Sequence, residues 1–293
     1  MASTIHSFVG SYHEQIEGAI SKAICLFGPK TELRDAIEYA LKNGGKRFRP
    51  AIVYMVAKAL GKDLDVTEAA LAIEFFHTAS LIADDLPSMD NDERRRNSPT
   101  VHIAYDEATA LLASYALISA GYDQIRLNAH ALKQKDIEKA DTICVLALEN
   151  ATYHTGILGA VGGQYLDLFS QELNEETVQE IMYKKTGSLF EISFVFGWLF
   201  GGGVLTELEK VKKVAKHFGM AFQISDDFLD LKEDIEHSKV NYPAVVGRKR
   251  ALQAFSQEVA ELKKLLQELE LNTSELLSLV EHMIGRISSP PSL

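Results

Sequence analysis

Hydrophobic residues recur every three or four positions along most of the chain, which is the spacing of helices that bury one face. Thr31 comes just before one such stretch, and Asn43 and Gly44 follow it. We therefore predict a helix with a polar cap at its start and a stop signal at its end. The tracts 51–60 and 66–84 are apolar almost throughout. They indicate two helices that are buried on most of their faces.

The second half of the chain continues the helical pattern. No proline occurs within residues 100–242, so this tract contains few obligatory helix breaks. Residues 252–269 carry one apolar stripe surrounded by charges, which predicts an amphipathic helix on the outside of a bundle. Asn272 or Thr273 then caps a final helix. Because no strand-like alternation or linker interrupts the pattern, we predict an all-α fold and a single domain over residues 1–293.

The composition narrows the range of functions. Lys and Arg total 30 against 41 Asp and Glu, a formal net charge of −11, which argues against a nucleic-acid partner. Cys25 and Cys144 are too few and too distant to predict disulfides or a zinc site, so we expect a reduced, cytoplasmic protein. The first residues lack the pattern of a secretory signal. The longest apolar run, 192–205, is too short for a transmembrane segment.

An acidic cluster in residues 84–96 follows an apolar helix. Its carboxylates Asp84, Asp85 and Asp90 surround Pro87, which should end or distort the helix just after the first two. Taken alone, a mixed run of charges is more often a solvated loop than a binding site. A second acidic cluster changes this interpretation.

The second cluster lies in residues 222–234. Asp226, Asp230 and Asp234 are spaced by four, so a helix places three like charges along one stripe, which destabilises the helix unless a cation neutralises them. Both clusters follow apolar helices and can face each other at one end of a bundle. Oxygen ligands without His or Cys favour Mg²⁺ or Mn²⁺, and Mg²⁺ combines one or two carboxylates with phosphate oxygens of a substrate. We therefore predict a phosphate-bearing substrate held through metal.

Two cationic segments fit the same hypothesis. Residues 44–50, GGKRFRP, place three cations after a glycine pair, in a turn that can approach an anion closely. Alone, this segment is more often an ordinary basic turn. Residues 184–187, KKTG, precede an apolar helix and can supply an ammonium and a hydroxyl group to an anion.

These segments together resemble one enzyme family. GGKRFRP, DDLPSMD with the following RRR, KTG and FQISDDFLD stand in the order and spacing of the trans-isoprenyl diphosphate synthases, which include farnesyl and geranylgeranyl diphosphate synthases. GGQ at 162–164 and PTVH at 99–102 are also similar to family elements. The resemblance covers residues 31–247. It implies a single large helical bundle of the isoprenoid synthase type with a central active-site cavity, small-molecule diphosphate substrates and a homodimer.

The resemblance also implies roles for individual residues. It implies Mg²⁺ ligands at Asp84, Asp85, Asp90, Asp226 and Asp230, with Asp227 beside them. It implies an isopentenyl diphosphate site at Lys46, Arg49, His77 and Arg96, and without it His77 would be interpreted as a core histidine. It implies an allylic diphosphate site at Arg95, Lys185, Thr186, Gln223 and Lys239. The implied catalytic residues are Asp84, Asp85, Asp90, Arg95, Lys185, Asp226 and Asp227.

The implied reaction is a condensation. Metal ions and cations stabilise the leaving diphosphate, the allylic C–O bond ionises, and the isopentenyl double bond attacks the carbocation. Loss of a proton, taken up by the departing diphosphate, ends the step.

Product length should depend on the apolar wall beneath the first cluster. Ala79 and Ser80 lie about one helical turn before Asp84. Similar enzymes that stop at fifteen carbons usually have an aromatic residue at the Ala79 position, so two small side chains predict the twenty-carbon geranylgeranyl diphosphate. Farnesyl diphosphate is the alternative product. Phe75 and Phe76 lie deeper and form either the floor of the tunnel or part of the core.

The chain departs from the family pattern in three places. The segment between Asp234 and Lys239 is shorter and lacks a lysine, Ser114 and Tyr115 replace a Gly-Asp pair, and Asn91 replaces an acidic residue. These departures keep open a noncatalytic partner subunit of the same fold. Such a subunit would be expected to lose one acidic cluster, and this chain keeps both, so we predict an enzyme. A terpene cyclase is a weaker alternative, because it does not need the GGKRFRP segment.

Overall fold

The computed structural model describes residues 3–237 and 239–288, and these residues are mostly helical. The first helices are α1 Ser3–Ala23, α2 Glu32–Lys42, α3 Phe48–Ala59, α4 Thr67–Asp84, α5 Val101–Ala104, α6 Glu107–Gln134 and α7 Ala140–Thr155. The remaining helices are α8 Ala160–Phe169, α9 Glu175–Ile181, α10 Ser188–Phe200, α11 Leu208–Glu236, α12 Tyr242–Val246, α13 Arg248–Gln267 and α14 Ser274–Ser288. Short 3₁₀ turns occur at Ile24–Phe27 and Leu205–Glu207, and a π-helical segment, Met182–Gly187, joins α9 to α10. The all-α fold is confirmed.

One small hairpin lies between α4 and α5. Strand β1, Arg94–Arg95, pairs antiparallel with β2, Ser98–Pro99, so that Arg94 stands opposite Pro99. Strands of two residues are too short to produce an alternating pattern, which explains why the sequence did not predict them.

The helix boundaries follow local chemistry. The Thr31 side chain accepts a hydrogen bond from the Arg34 amide at 3.2 Å and so caps α2. α4 ends at Asp84, three residues before Pro87, as predicted. Asn272 Oδ1 accepts a hydrogen bond from the Ser274 amide at 3.1 Å, where α14 begins.

Helix α10 forms the centre of the bundle. All of its side chains are buried, and it packs against α3, α4, α7 and α11. Two glycines, Gly197 within α10 and Gly201 directly after it, allow α3 to approach closely: a Cβ on Gly197 would lie 2.7 Å from the Val53 carbonyl oxygen, and one on Gly201 would lie 2.7 Å from Ala57 Cα. Residues 192–200 of the apolar run thus belong to a core helix, and residues 201–204 form the turn that follows it. Within the part of the chain that the structure describes, no helix has both the length and the apolar character needed to cross a bilayer.

Two long helices carry the acidic clusters. α4 packs along α6 and α3 and ends at the first cluster, while α11 packs against α10 and α13 and carries the second cluster in its C-terminal half. Because α10 contacts both α4 and α11, the central helix sets the separation of the two clusters.

Candidate active site

A polar cavity of about 430 Å³ joins the two acidic clusters. Asp90 borders it on the first side, and Lys239 lies at its edge, 3.9 Å from Asp92. The second side is formed by the carboxylates of Asp226, Asp227, Asp230 and Asp234. The two clusters therefore face each other across one cavity.

The adjacent aspartates of the first cluster have different surroundings. Asp84 is partly exposed, and no side chain among the described residues gives its carboxylate a hydrogen bond or an ion pair. Burial raises the pKa of Asp84 to about 6. Asp85 is only 3% exposed and accepts Nε–H of Arg95 at 2.8 and 2.9 Å and Nη2–H at 2.5 Å. Asp85 therefore anchors Arg95, while Asp84 lines the apolar cavity described below.

Asp90 and Lys185 form the junction between the first cluster and the KKTG segment. The Asp90 amide donates to the Asp84 carbonyl at 2.9 Å, and Asp90 Oδ1 accepts Nε2–H of Gln164 at 3.3 Å. Lys185 Nζ donates to Asp167 Oδ2 at 2.5 Å. Burial opposes the charge on Lys185, but Asp167, Asp84 and Asp90 outweigh it and raise its pKa. Lys185 therefore stays cationic beside the first cluster.

Gln164 and Asp167 belong to a motif whose role the sequence did not reveal. Both lie on α8, which packs against the π-helical segment that carries Lys185. The GGQ resemblance identified the segment without assigning either side chain a partner. Their contacts show that α8 brings Asp90 and Lys185 together.

The adjacent aspartates of the second cluster also differ from each other. Asp226 is partly exposed and accepts Nη2–H of Arg286 at 2.5 Å. Asp227 is 3% exposed and accepts hydrogen bonds from Gln223 Nε2 at 2.7 Å and from the Tyr242 amide at 2.8 Å. Burial raises the pKa of Asp227 to about 7. Asp227 thus ties α12 to α11, and Asp226 faces the cavity.

The cation that the acidic stripe required comes from another helix. Arg286 lies on α14, far along the chain from the stripe, and nothing in the sequence around it signals this contact. At the other end of the stripe, Asn241 Nδ2 donates to Asp234 Oδ2 at 2.9 Å. Between them, Asp230 has no hydrogen-bond or ion-pair partner among the described residues, and burial together with Asp226 and Asp234 raises its pKa.

This donor set fits Mg²⁺. Within residues 3–237 and 239–288, no three His, Cys, Asp or Glu side chains converge closely enough to hold a metal ion by themselves. Mg²⁺ does not need such a cluster, because it takes one or two carboxylates and completes its shell with water and phosphate oxygens. Asp84 and Asp230 are carboxylates without a hydrogen-bond or ion-pair partner among the described residues, and burial raises the pKa of each.

A larger basic cavity, of about 990 Å³, adjoins the acidic one. Its lining includes all four side chains that the resemblance implies for isopentenyl diphosphate: Lys46, Arg49, His77 and Arg96. Asp226, Thr186 and Gln223 border both cavities. The two sites implied for the two diphosphates are therefore neighbours.

Arg49 and His77 form the inner wall of the basic cavity. Arg49 Nη1 lies 3.3 Å from His77 Nε2, and the guanidinium sits 4.8 Å from the centre of the Phe190 ring. Burial lowers the pKa of Arg49 to about 10, and burial with the nearby arginine charges lowers the pKa of His77 well below its usual range. Arg49 Nε and His77 Nδ1 are buried without a partner in the described residues. Polar atoms of this kind suit an anionic ligand.

The glycine pair of GGKRFRP allows the loop before α3 to contact Arg96 in the turn of the hairpin. Gly45 has φ +128, and a Cβ there would lie 2.4 Å from Arg96 Nη1. Arg96 Nη1 also donates to the Gly44 carbonyl oxygen. Arg47 is 3% exposed and pairs with Glu74 at 2.5 Å, so it stabilises the turn from within. Of the three cations in this segment, Arg47 has a structural role.

An apolar cavity of about 290 Å³ extends away from Asp84 and Lys185. Ala79 and Ser80 line it, and Phe76 lies deeper along the same helix. Phe75 is fully buried and packs against Phe27, with ring centroids 5.6 Å apart. Phe76 is therefore a wall of the cavity, whereas Phe75 belongs to the core.

Ser114, one of the departures from the family pattern, also lines the apolar cavity. Its hydroxyl donates to the Ala79 carbonyl oxygen at 3.0 Å. This contact joins α6 to α4 at the level of the two small residues.

The fold and the cavities define an enzyme of the isoprenoid synthase type, and comparison with known proteins gives its family. The polyprenyl synthetase family model matches residues 30–281. The chain is 35% identical over 274 residues to geranylgeranyl pyrophosphate synthase 3, chloroplastic, of Arabidopsis thaliana, covering 88% of this chain and 72% of that protein. It is 31% identical over 298 residues to farnesyl diphosphate synthase of Geobacillus stearothermophilus, covering 97% and 98%.

Solved structures agree with the sequence relatives. A geranyltransferase from Legionella pneumophila superposes with a TM-score of 0.80 at 28% identity, covering 98% of this chain and 99% of that one. An FPP/GFPP synthase from Zymomonas mobilis superposes with a TM-score of 0.79 at 28% identity, covering 97% and 100%. The chain belongs to the polyprenyl synthetase family and is a prenyltransferase.

Proposed function

We propose that the protein is a short-chain trans-prenyltransferase that condenses isopentenyl diphosphate with allylic diphosphates to form geranylgeranyl diphosphate. One observation carries this proposal: a basic cavity, an acidic cavity and an apolar cavity meet around Asp84, Lys185 and Asp226. Such an arrangement suits two diphosphates and one growing hydrocarbon chain.

Magnesium is proposed to be held by the cavity-facing carboxylates Asp84 and Asp90 on one side and Asp226 and Asp230 on the other, and Mn²⁺ can use the same oxygens. When bound, the metal neutralises the charge that develops on the leaving diphosphate. Asp85, which the resemblance implies as a ligand, is instead proposed to hold Arg95 in place, because both of its oxygens already accept from Arg95.

The allylic diphosphate is proposed to be bound by the cations around the acidic cavity. Lys185 and Lys239 border this cavity, and Arg95 lines the adjoining basic cavity. Thr186 and Gln223 offer polar hydrogens from the side that the two cavities share. These donors hold the diphosphate while the C–O bond breaks and stabilise the departing charge. The allylic chain then occupies the apolar cavity beneath Asp84.

Isopentenyl diphosphate is proposed to occupy the basic cavity. Arg49, Lys46 and Arg96 supply positive charge, and His77, neutral because its pKa is lowered, supplies a hydrogen bond. The apolar carbons of the substrate then face Phe48 and Phe222, whose ring centroids lie 5.0 Å apart. An aromatic wall excludes water from a carbocation, so the double bond is the available nucleophile.

The direct test is an assay of purified protein with Mg²⁺, labelled isopentenyl diphosphate and a series of allylic diphosphates. We expect condensation and a twenty-carbon product on chromatography. A fifteen-carbon product would support farnesyl diphosphate synthase instead, and no condensation with any allylic partner would support a noncatalytic subunit. Turnover of the allylic diphosphate alone would indicate a cyclase.

The chain-length proposal rests on the lining of the apolar cavity. Ala79→Tyr should fill the cavity one turn below Asp84 and shift the product from twenty towards fifteen carbons. Phe76→Leu should allow longer products, whereas Phe75→Leu, the same change at a neighbouring buried position outside the cavity, should leave product length unchanged. An unchanged product in Ala79→Tyr would overturn the proposal.

A homodimer is proposed because apolar side chains remain exposed on α6, α7 and α8. Tyr115 is 57% exposed, Tyr153 50% and Val161 61%. Light scattering coupled to gel filtration should give twice the chain mass. The single domain over residues 1–293 and the cytoplasmic location stay predictions.

A further inference from the structure

The π-helical segment Met182–Gly187 stands directly beside the proposed allylic site. Turns of π-helix are rare and frequently occur at functional sites. Lys184 and Lys185 diverge within it, because Lys184 pairs with Glu180 at 2.6 Å and Lys185 pairs with Asp167 at 2.5 Å. The conformation of the segment therefore determines which of the two lysines faces the acidic cavity.

Two helices, α8 and α11, pack closely against the backbone of this segment. A Cβ on Gly163 of α8 would lie 2.3 Å from the Lys185 amide nitrogen, and a Cβ on Gly219 of α11 would lie 2.9 Å from Gly187 Cα. These contacts fix the position of the segment between α8 and α11. They do not fix its rotation about its own axis, which needs a directional contact.

A buried polar network supplies that directional contact. Glu191 of α10 is 5% exposed, and its Oε2 accepts the Tyr183 hydroxyl at 2.9 Å. Its Oε1 lies 2.9 Å from Nε2 of His154, which is 3% exposed, and 3.4 Å from Nδ2 of Asn150. A carboxylate without such partners is costly to bury. The network therefore links α7, α10 and the π-helical segment.

The network is separate from the cavities. Neither Glu191 nor His154 lines the acidic, basic or apolar cavity described above, and the proposed reaction uses neither. Tyr183 lies two residues before Lys185, so its hydroxyl contact constrains the turn that carries the lysine. Burial and the Glu191 charge raise the pKa of Tyr183, which keeps its hydroxyl as a donor.

We propose that Glu191 is a positioning residue: through Tyr183 it holds the π-helical turn in the rotation that presents Lys185 and Thr186 to the allylic diphosphate. This inference rests on the proposed function, since that function supplies the ligand. The inference assigns a role to Glu191, Tyr183 and His154, which line none of the three cavities proposed to bind substrate.

The kinetic test compares Tyr183→Phe with Tyr12→Phe. Tyr12, like Tyr183, donates its hydroxyl to a glutamate, Glu275 at 2.6 Å, but this contact joins α1 to α14. We expect Tyr183→Phe to raise KM for the allylic diphosphate about tenfold while KM for isopentenyl diphosphate changes less than about twofold. Tyr12→Phe should change neither KM. Equal changes in both KM values for Tyr183→Phe would overturn the proposal.

Glu191→Gln serves as the conservative variant, because the amide oxygen can still accept from Tyr183. It should retain most of the allylic affinity, whereas Glu191→Leu should reproduce the Tyr183→Phe defect. Thermal unfolding of each variant identifies folding failures. If Glu191→Gln and Glu191→Leu showed equal allylic KM values, the hydrogen bond would have no positioning role.

A second readout does not depend on activity. Acylation of Lys185 by a small amine-reactive reagent is measured by peptide mass spectrometry, with Lys184 as the reference in the same peptide. In Tyr183→Phe, the Lys185 to Lys184 ratio should rise several-fold as Lys185 leaves Asp167. An unchanged ratio would overturn the inference. If wild-type protein showed no condensation but the ratio still rose, the proposed function would fail while the positioning role stood.

Discussion

The first acidic cluster lies at the C-terminal end of α4 and in the turn that follows it, whereas the second lies within the continuous helix α11. In each adjacent pair, the leading carboxylate, Asp84 or Asp226, is partly exposed at a cavity. The following carboxylate, Asp85 or Asp227, is 3% exposed and bonded on both oxygens. Neighbouring residues on a helix point about 100° apart, so one member can serve a ligand and the other the scaffold.

The two clusters differ in what each anchoring carboxylate holds. Asp85 holds a cation, Arg95, which lines the basic cavity, whereas Asp227 holds the backbone of Tyr242 and so fixes the start of α12. The first cluster therefore combines ligand and counter-ion in one short segment. The second depends on α14, which supplies Arg286 to Asp226.

The largest expected effect is on the leading carboxylate of the first cluster. Asp84→Asn should lower kcat by roughly 10³-fold or more, because it removes a charge that the metal and leaving diphosphate require. Steady-state kinetics at saturating Mg²⁺ provide the measurement. Asp141→Asn, which alters an exposed aspartate paired with Lys133, is the control and should leave kcat unchanged. Activity within tenfold of wild type would contradict the role of Asp84.

The anchoring carboxylate should give a smaller and different defect. Asp85→Asn should lower kcat/KM for the allylic diphosphate roughly tenfold, because Arg95 loses its nearer carboxylate partner and keeps Asp92 at 3.6 Å. Steady-state kinetics with varied allylic diphosphate measure this effect. A loss of kcat equal to that of Asp84→Asn would show that Asp85 also acts as a ligand.

The pH dependence of stability gives the third test. Because the folded pKa of Asp84 is raised to about 6, its protonated form favours folding, and this contribution is lost as pH rises from about 4 through 6. In metal-free protein, Asp84→Asn should therefore match wild type at pH 4 and be about 1–2 kcal/mol more stable at pH 8. Thermal unfolding with a chelator present measures this difference. A destabilised variant at pH 8 would mean that the carboxylate has a stabilising partner.

The smallest expected effect concerns Arg286. Arg286→Gln should free Asp226 and tighten binding of Mn²⁺ with inorganic pyrophosphate about two- to fivefold, as measured by electron paramagnetic resonance. Lys263→Gln removes another cation paired with α14, through Glu281, and should leave Mn²⁺ affinity unchanged. Weaker Mn²⁺ binding in Arg286→Gln would show that the arginine assists the metal site.

Sequence reasoning succeeded where local chemistry decides the structure. Thr31 caps α2, Pro87 follows the end of α4, and the spacing of Asp226 and Asp230 places them on one stripe of α11. Each of these features depends on residues within one or two helical turns. The meeting of both clusters at one cavity followed from the same patterns.

Other features depend on how distant elements pack. The sequence cannot show that Arg286 reaches Asp226, because the contact requires α14 to dock on α11. It also treats Asp84 and Asp85 alike, although their roles separate once the hairpin places Arg95. The π-helical turn that carries Lys185 has no pattern of its own, since it is held by glycines and a carboxylate on three other helices.

Helix α4 carries both the reacting end and the bottom of the proposed product cavity. Asp84, Ala79 and Phe76 lie on one uninterrupted helix, with a rise of about 1.5 Å per residue. On the proposed function, the depth available to a growing chain is set along α4 by the number of residues between Asp84 and the first bulky side chain. If the proposal holds, a bulky side chain moved by one turn of α4 resets the product length and leaves the diphosphate chemistry at the end of the helix untouched.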